Sequence, residues 1–420
     1  MSMNRIAIVG GGISGLAVAR LLRKHSNVTV FEKESKPGGL IRCRRVDGNL
    51  FHTCGGHVFN SKKQHVLDWF WKIFNREEEF ALADRNSVVF MDGGQEIPYP
   101  IENHMYLFDA DTQKHFIDNL VTIAKSQGHE PQNFEEFLRG RFGDTLYVKY
   151  FQPYNEKVWR RNLKQVPLSW LEGKLPMPTV QEMIFNNINH VKEKAFVHST
   201  FWYEKKDGSQ HIADKLAEGL DIRYNVEIKA IAYDGHKWTI AGKDFDKAVF
   251  CGNIKDIPKI IQGINIDSYA SEIDALEYHG TTAVFCEIDK NPYSWIYQPS
   301  REHESHRIIC TGNFAQSNNN SSLSADRITA TIEFTDEISR NDIIDNLMRI
   351  PLHPKYLDHQ FNKYTYPIQN SGTREMINAL KDTLRPYGFY FTGRFADWEY
   401  YNMDVAIDAA MITAEMIQSK

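Results

Sequence analysis

The sequence predicts an α/β chain built on a Rossmann-like dinucleotide-binding domain, and three local observations lead to it. The strand-like run Arg5-Ile6-Ala7-Ile8-Val9 breaks into Gly10-Gly11-Gly12-Ile13-Ser14-Gly15, with glycines at G-x-G-x-x-G spacing. An apolar helical pattern follows at Leu16, Val18, Ala19, Leu21 and Leu22. A second strand, Val28-Thr29-Val30-Phe31, ends in Glu32. Strand, tight turn and helix N-terminus in that order make a diphosphate cradle. Gly10 permits the turn, Gly12 lets the backbone approach a pyrophosphate, and Gly15 lets the helix pack closely on the strand. Free backbone N–H groups and the helix dipole then favour the anion. Glu32, about twenty residues on, stands where an acid binds ribose hydroxyls.

The chain of 420 residues exceeds one compact core, so two or three structural units are expected. Its dinucleotide domain is expected to be discontinuous, formed by residues 1–85, 195–255 and 375–420. Helical periodicity runs through 105–190, at Phe116, Ile117, Leu120, Ile123, Phe134, Phe137 and Leu138, and predicts an inserted helical domain. Short strand-like runs return at Ile222-Arg223-Tyr224, Ile228–Ala230, Trp238–Ile240 and Ala248-Val249-Phe250. Residues 86–104 and 256–374 form a third unit that mixes strands with an Asn/Ser-rich loop, Gln316 to Ser322, expected to be a mobile connection. The last fifty residues read helix, strand (Gly388-Phe389-Tyr390-Phe391), Gly393 and a long helix from Asp404 to Ile417, able to return to the first sheet and bring a second helix N-terminus to the ligand.

Composition is ordinarily globular, 42% hydrophobic and 25% charged, and the net charge of -5 offers no global attraction to nucleic acid or anionic lipid. No apolar run approaches the ~20 residues that span a bilayer. The start of the chain runs straight into a strand, leaving no room for a signal peptide. Five scattered cysteines, Cys43, Cys54, Cys251, Cys286 and Cys310, lack metal spacing and fit a reduced, cytoplasmic protein. His303, Glu304 and His306 lack the H-E-x-x-H spacing and read as an exposed polar loop; no metal is expected.

Several segments together carry a resemblance. Gly10 to Gly15, Glu32, Pro37-Gly38-Gly39-Leu40 and Phe391-Thr392-Gly393-Arg394 resemble FAD-dependent proteins of the amine-oxidase and protoporphyrinogen-oxidase superfamily. The runs Gly55-Gly56-His57-Val58-Phe59, Ile97-Pro98-Tyr99-Pro100-Ile101-Glu102-Asn103 and Pro153-Tyr154-Asn155-Glu156-Lys157-Val158-Trp159 narrow it to the UDP-galactopyranose mutases, nearer their eukaryotic-type form. So do Trp170-Leu171, Tyr366-Pro367, Gly393 to Tyr400 and Asn402-x-Asp404, collinear with the family from residue 5 to about 415. The resemblance implies a Rossmann-like FAD-binding domain, an inserted helical domain and an antiparallel β-sheet domain around one cleft. It implies FAD as the resident cofactor, with NAD(P)H as a transient reductant. It also implies exchange of the pyranose and furanose forms of a nucleotide-linked sugar through reduced flavin N5 as nucleophile, without net redox change. The alternatives are a flavin oxidoreductase of amine-oxidase type that kept the fold and changed the reaction, and a non-catalytic protein that uses FAD structurally or in an assembly.

By the same resemblance, the cofactor is held by Gly10, Gly12, Ile13, Ser14 and Gly15, by Glu32 and Lys33, by Gly39 and Leu40, by Gly55, Gly56 and His57, by Val226, by Gly393 and Arg394, and by the turn Asn402, Met403 and Asp404. His57 and Arg394 are the catalytic candidates at the flavin edge. Tyr99, Asn155, Trp159, Lys174, Tyr366 and Tyr400 are the substrate candidates; each aromatic has packing as its alternative role. The family grips diphosphate with two arginines, and here Lys174 stands where the first belongs. The second falls in the run Ala283 to Asp289, which holds no arginine, with Asp289 at the matching position. Arg160, Arg161, Lys205 and Arg301 are the nearby bases able to substitute, with solvated surface charge as their alternative. Loops near residues 60 and 200 are candidates for cleft closure. A small-molecule substrate is the expected partner; the oligomeric state is left open.

Overall fold

The computed structural model describes residues 3–126, 130–168, 178–191 and 200–419. A five-stranded, wholly parallel sheet runs Phe389–Phe391, Lys247–Phe250, Asn4–Val9, Ser26–Phe31, Asp221–Arg223. Its central strand alternates nothing: Ile6, Ala7, Ile8 and Val9 are all buried, as a parallel strand covered on both faces requires. The strand near the C-terminus does return to this sheet, placed beside Lys247–Phe250. The helix after it, Met403–Gln418, packs on the fingerprint helix Ile13–Leu22, where Ala17, Ala19, Ala410 and Ala414 keep the axes close. A Cβ on Gly15 would lie 2.0 Å from the Gly10 carbonyl oxygen and 3.3 Å from Ile8, so only glycine lets this helix start against its strand.

On the other side of this sheet a four-stranded sheet (Lys243–Phe245, Trp238–Ile240, Ile231–Tyr233, Ile261–Gln262) completes the cofactor-bearing body. Ile257, Ile260, Ile266 and Ile273 share its core with Trp238, Phe250 and Phe389, so the stretch after residue 256 packs here before the chain enters the large sheet.

That large sheet has seven strands in the order Lys355–Pro367, Tyr278–Asp289, Arg327–Thr335, Arg307–Ile309, Trp295–Tyr297, Ser87–Phe90, Glu96–Pro98. Every pairing is antiparallel except that of Trp295–Tyr297 with Ser87–Phe90. Against it lie the helices Ala110–Lys125, Phe134–Leu146, Gln152–Trp159 and Val180–Ile188. Asp109 and Asn133 cap the first two, their side chains accepting from the N–H of Thr112 at 2.8 Å and of Glu136 at 3.0 Å. Phe116, Leu120, Phe134, Leu138 and Phe142 form their shared core, but Ile117, read above as part of that stripe, is exposed.

Two local expectations are corrected. The run Gln316 to Ser322 is pinned, not mobile: Asn318 is buried and donates to the Tyr203 hydroxyl and the Thr311 carbonyl, both at 2.9 Å. His303 and His306 are buried rather than exposed, and no group of side chains able to hold a metal occurs among the described residues. The segments near 60 and 200 are tied to each other, Phe59 and Trp202 exchanging backbone hydrogen bonds of 2.9 and 2.8 Å. No helix among the described residues is long and apolar enough to cross a membrane.

Glu204 is fully buried on the strand Thr200–Glu204, and neither carboxylate oxygen has a hydrogen-bond partner among the described residues. Burial pushes its pKa up to about 8. The folded state therefore holds a proton that the unfolded chain releases above its ordinary carboxylate pKa. Stability falls as pH rises from about 4.5 to 8 and levels off beyond, by several kcal/mol over the interval. Urea titrations across that range check this, and Glu204→Gln should flatten the slope. Gly15→Ala should destabilise the fold by about 1–3 kcal/mol or more through overpacking. Gly140→Ala, in the open on a helix, should stabilise it by about 0.4–1 kcal/mol; thermal melts compare the two.

Candidate functional site

The fingerprint turn is held by its own acid. Glu32 accepts the Gly11 N–H at 2.7 Å and the Glu34 N–H at 2.9 Å, and Gly38 donates to the Gly11 carbonyl at 2.8 Å. These bonds leave the N-terminus of the helix Ile13–Leu22 facing a cavity of about 570 Å³. Gly10, Gly12, Ile13, Ser14, Gly15, Glu32, Lys33, Gly39 and Leu40 line it, with Val226, Gly393, Asn402 and Met403 from later segments of the chain. A Cβ on Gly12 would meet only the Gly39 Cα, at 3.9 Å, so this backbone is open on its cavity side. The absence of side chain there, the helix end and the long cavity fit a dinucleotide diphosphate. Of the residues singled out for the cofactor, Gly55, Gly56 and Asp404 do not line the cavity. Gly55 and Gly56 shape the turn before His57, and Asp404 accepts from the Ser61 hydroxyl at 2.9 Å.

His57 does line it, and its Nε2 is buried without a hydrogen-bond partner among the described residues. Burial, then the neighbouring His52 and Arg394, push its pKa down to about 3, so the ring is neutral and able to donate or accept toward a bound group. Arg394 is fixed by the Tyr401 carbonyl at 3.1 Å and the Thr365 carbonyl at 3.2 Å. Its guanidinium lies 4.6 Å from the centre of the Tyr400 ring. Arg394 lines the cofactor cavity, and the Tyr400 ring it lies against lines a second cavity.

The second cavity, about 240 Å³, gathers Tyr99, Asn155, Trp159, Tyr366 and Tyr400, every predicted substrate residue except Lys174. Lys174 and Trp170-Leu171 lie outside the described residues. The rings of Tyr366 and Tyr400 stack at 5.4 Å with an interplanar angle of 6°. Tyr154 and Tyr297, which sequence reasoning did not select, complete the aromatic wall, and Glu102 lines the cavity with its pKa raised to about 7 by burial.

Arg307 is a candidate side chain that sequence reasoning missed. It projects from the strand Arg307–Ile309 into this cavity, its Nε donating to Glu333 at 2.7 Å and its Nη2 reaching the Tyr366 hydroxyl at 3.5 Å. Burial opposes the charge, but the Glu333 carboxylate, itself 1% exposed, holds the guanidinium pKa well above its ordinary value. Among the described residues these contacts use Nε and Nη2, and the two donors at Nη1 have no partner. The signal that could have found it is the pairing of Arg307 with Glu333 in the sheet register, which requires the neighbouring strands to be known.

The expected acid in the cleft is corrected. Asp289 lies at the far end of its strand, bound to Arg327 at 2.5 Å and His353 at 2.6 Å, outside the second cavity. The substitute bases are also engaged elsewhere: Arg160 with Glu304 at 2.8 Å, Arg161 with Glu277 at 2.6 Å, Arg301 with Glu156 at 3.0 Å, and Lys205 with the Glu77 carbonyl at 2.6 Å. None of the four lines that cavity.

The fold and these two neighbouring cavities define a class: a Rossmann-type dinucleotide-binding protein with a second, aromatic cleft. Residues 8–74 match the NAD(P)-binding Rossmann-like domain family. The chain is similar to the UDP-galactopyranose mutase of Mycoplasma genitalium, 21% identical with 99% of this chain and 95% of that one covered. It is 26% identical to the dTDP-fucopyranose mutase of Escherichia coli, over 99% of this chain and 98% of that one. A solved structure of reduced UDP-galactopyranose mutase superposes with a TM-score of 0.88 at 20% identity, covering 100% of this chain and 94% of that one. Within its class, the chain is UDP-galactopyranose mutase-like over its whole length.

Gly12→Val should leave the fold intact and reduce the flavin carried through purification. The flavin-to-protein absorbance ratio checks it beside a thermal melt.

Proposed function

We propose that the protein binds FAD and exchanges the pyranose and furanose forms of a nucleotide-linked sugar. The observation that carries this reading is the juxtaposition, through Arg394 and Tyr400, of a dinucleotide cradle with an aromatic cavity that contains a half-buried arginine. Full-length similarity to two nucleotide-sugar mutases supports it over the oxidase alternative.

When bound, reduced flavin supplies a nucleophile at N5 that is regenerated at the end of the cycle, so ring exchange consumes no reductant; NAD(P)H is the external donor that keeps it reduced. The chain's own residues supply the rest. Arg307 offers its Nη1 donors to the diphosphate, and the Tyr366 and Tyr400 hydroxyls donate beside it without adding charge. Glu333 keeps the guanidinium in place when no anion is present, and its own charge is offset by that pairing. Tyr99, Tyr154, Tyr297 and Trp159 form a wall that excludes water, which strengthens each of these bonds. The His57 ring lines the cofactor cavity and stays neutral, able to donate or accept, across the physiological pH range.

The test is anaerobic reduction followed by incubation with UDP-, GDP- and dTDP-sugars. Furanose product with no reductant consumed supports the mutase; stoichiometric electron transfer to a small substrate would establish the oxidoreductase instead. Arg307→Lys keeps the pairing with Glu333 but removes the planar fork. It should weaken UDP binding by about 1–3 kcal/mol with the flavin spectrum unchanged, measured by calorimetry.

A further inference from the structure

Lys157 stands on the helix Gln152–Trp159, whose Tyr154, Asn155, Val158 and Trp159 form one wall of the second cavity. The opposite wall is the hairpin of Trp295–Tyr297 and Arg307–Ile309, in which Tyr297 and Arg307 are register partners and both line the cavity. The hairpin's connection, residues 298–306, folds back over the helix and is narrowed at its neck. The Gln298 N–H donates to the His306 carbonyl at 3.0 Å, and the Ser305 hydroxyl donates to Gln298 Oε1 at 2.8 Å. Lys157 Nζ donates to both strands of that neck, to the Gln298 carbonyl at 2.9 Å and the Ser305 carbonyl at 2.8 Å.

Two further contacts join the same helix to the same connection, Glu156 with Arg301 at 3.0 Å and Arg160 with Glu304 at 2.8 Å. Both are largely exposed ion pairs, which contribute about 0–1 kcal/mol each and weaken in salt. The lysine clasp lies between them on Gln298 and Ser305, both of which are buried. We infer that Lys157 is the positioning residue of the substrate cavity, setting the distance between the pocket helix and the wall that carries Tyr297 and Arg307. This rests on the nucleotide-sugar reading of that cavity.

The clasp is held against a desolvation cost. Burial draws the Lys157 pKa down to about 7, and the groups around it include the cations Arg160 and Arg301 as well as the acids Asp92 and Glu304. Burial, and in lesser part this ammonium, lower the pKa values of the neighbouring His303 and His306 rings. Lysine reaches two carbonyls at once with a compact, three-donor head; methionine keeps the stem and loses both bonds.

The experiment uses the FAD-loaded protein with UDP as probe and a nucleotide sugar for kinetics. Lys157→Met should raise the UDP Kd and the KM about tenfold while kcat changes less than about twofold and the flavin spectrum is unaltered. Lys157→Arg should recover part of the loss. Ser305→Ala, which removes one bond of the same neck, should show a smaller rise and combine less than additively with Lys157→Met. A folded Lys157→Met with unchanged UDP affinity overturns the inference, as does a parallel loss of kcat. If that variant does not fold, unchanged UDP affinity in Ser305→Ala overturns it instead, and weaker affinity supports it. Absence of UDP binding by the unsubstituted protein defeats the substrate reading itself, and this inference falls with it.

Discussion

The pairing of the half-buried Arg307 with the buried Glu333 is the interaction around which the cleft is built. A guanidinium taken out of water is tolerated only beside a compensating charge, and the antiparallel register of Arg307–Ile309 against Arg327–Thr335 sets Glu333 opposite it. That pairing explains features that look separate. The strand carrying Arg307 must be gripped at its entry, which the neck at Gln298 and Ser305 provides. Tyr366 must come from the strand Lys355–Pro367 at the sheet edge to meet Nη2, and Tyr400 stacks on it from the turn that leads into the helix Met403–Gln418. This aromatic pair is one of the contacts between the cofactor-bearing body and the large sheet, beside those of Trp398 with Tyr278 and Phe395 with Tyr364.

The sequence was most legible where a function needs a local backbone shape. The Gly10–Gly15 turn, Glu32 and the helix that follows are dictated by contacts within some thirty residues. The structure places them as their spacing requires, with Glu32 also fastening the turn to itself through Gly11. The C-terminal strand and helix were legible for the same reason, since a short apolar strand, a glycine and a long helix have few ways to join a parallel sheet. The substrate candidates Tyr99, Asn155, Trp159, Tyr366 and Tyr400 come from four separated segments, and only the collinear resemblance could assemble them in one cavity.

What was missed depends on non-local pairing. Arg307 sits in an unremarkable Arg-Ile-Ile run, and nothing in its neighbours says that a carboxylate waits across the strand. Asp289 was misplaced for the converse reason: position along a strand does not reveal which end faces a cleft, and this one ends at Arg327 and His353. His303 and His306 read as exposed because their surroundings in sequence are polar. The polarity is instead turned inward on the carbonyl-rich neck that Lys157 closes. Ile117 fits a helical stripe by period but lies just outside the face that Phe116 and Leu120 bury.

The two cavities also separate two demands that a sugar-ring exchange places on one protein. A cofactor must be held permanently, which the glycine turn achieves with backbone N–H groups and a helix end rather than with titratable charge. A diphosphate must be held while the sugar reacts and then released. A cation already paired with an internal acid suits that second task, because the anion gains the remaining donors of Arg307 without having to neutralise the whole buried charge. Arg394, fixed by the carbonyls of Thr365 and Tyr401 and lying against Tyr400, adds no carboxylate of its own at the junction. The site thus presents positive character where the cavities meet and aromatic surface beyond it, an arrangement that accepts an anionic, ring-bearing ligand more readily than the cationic amines on which an amine oxidase acts.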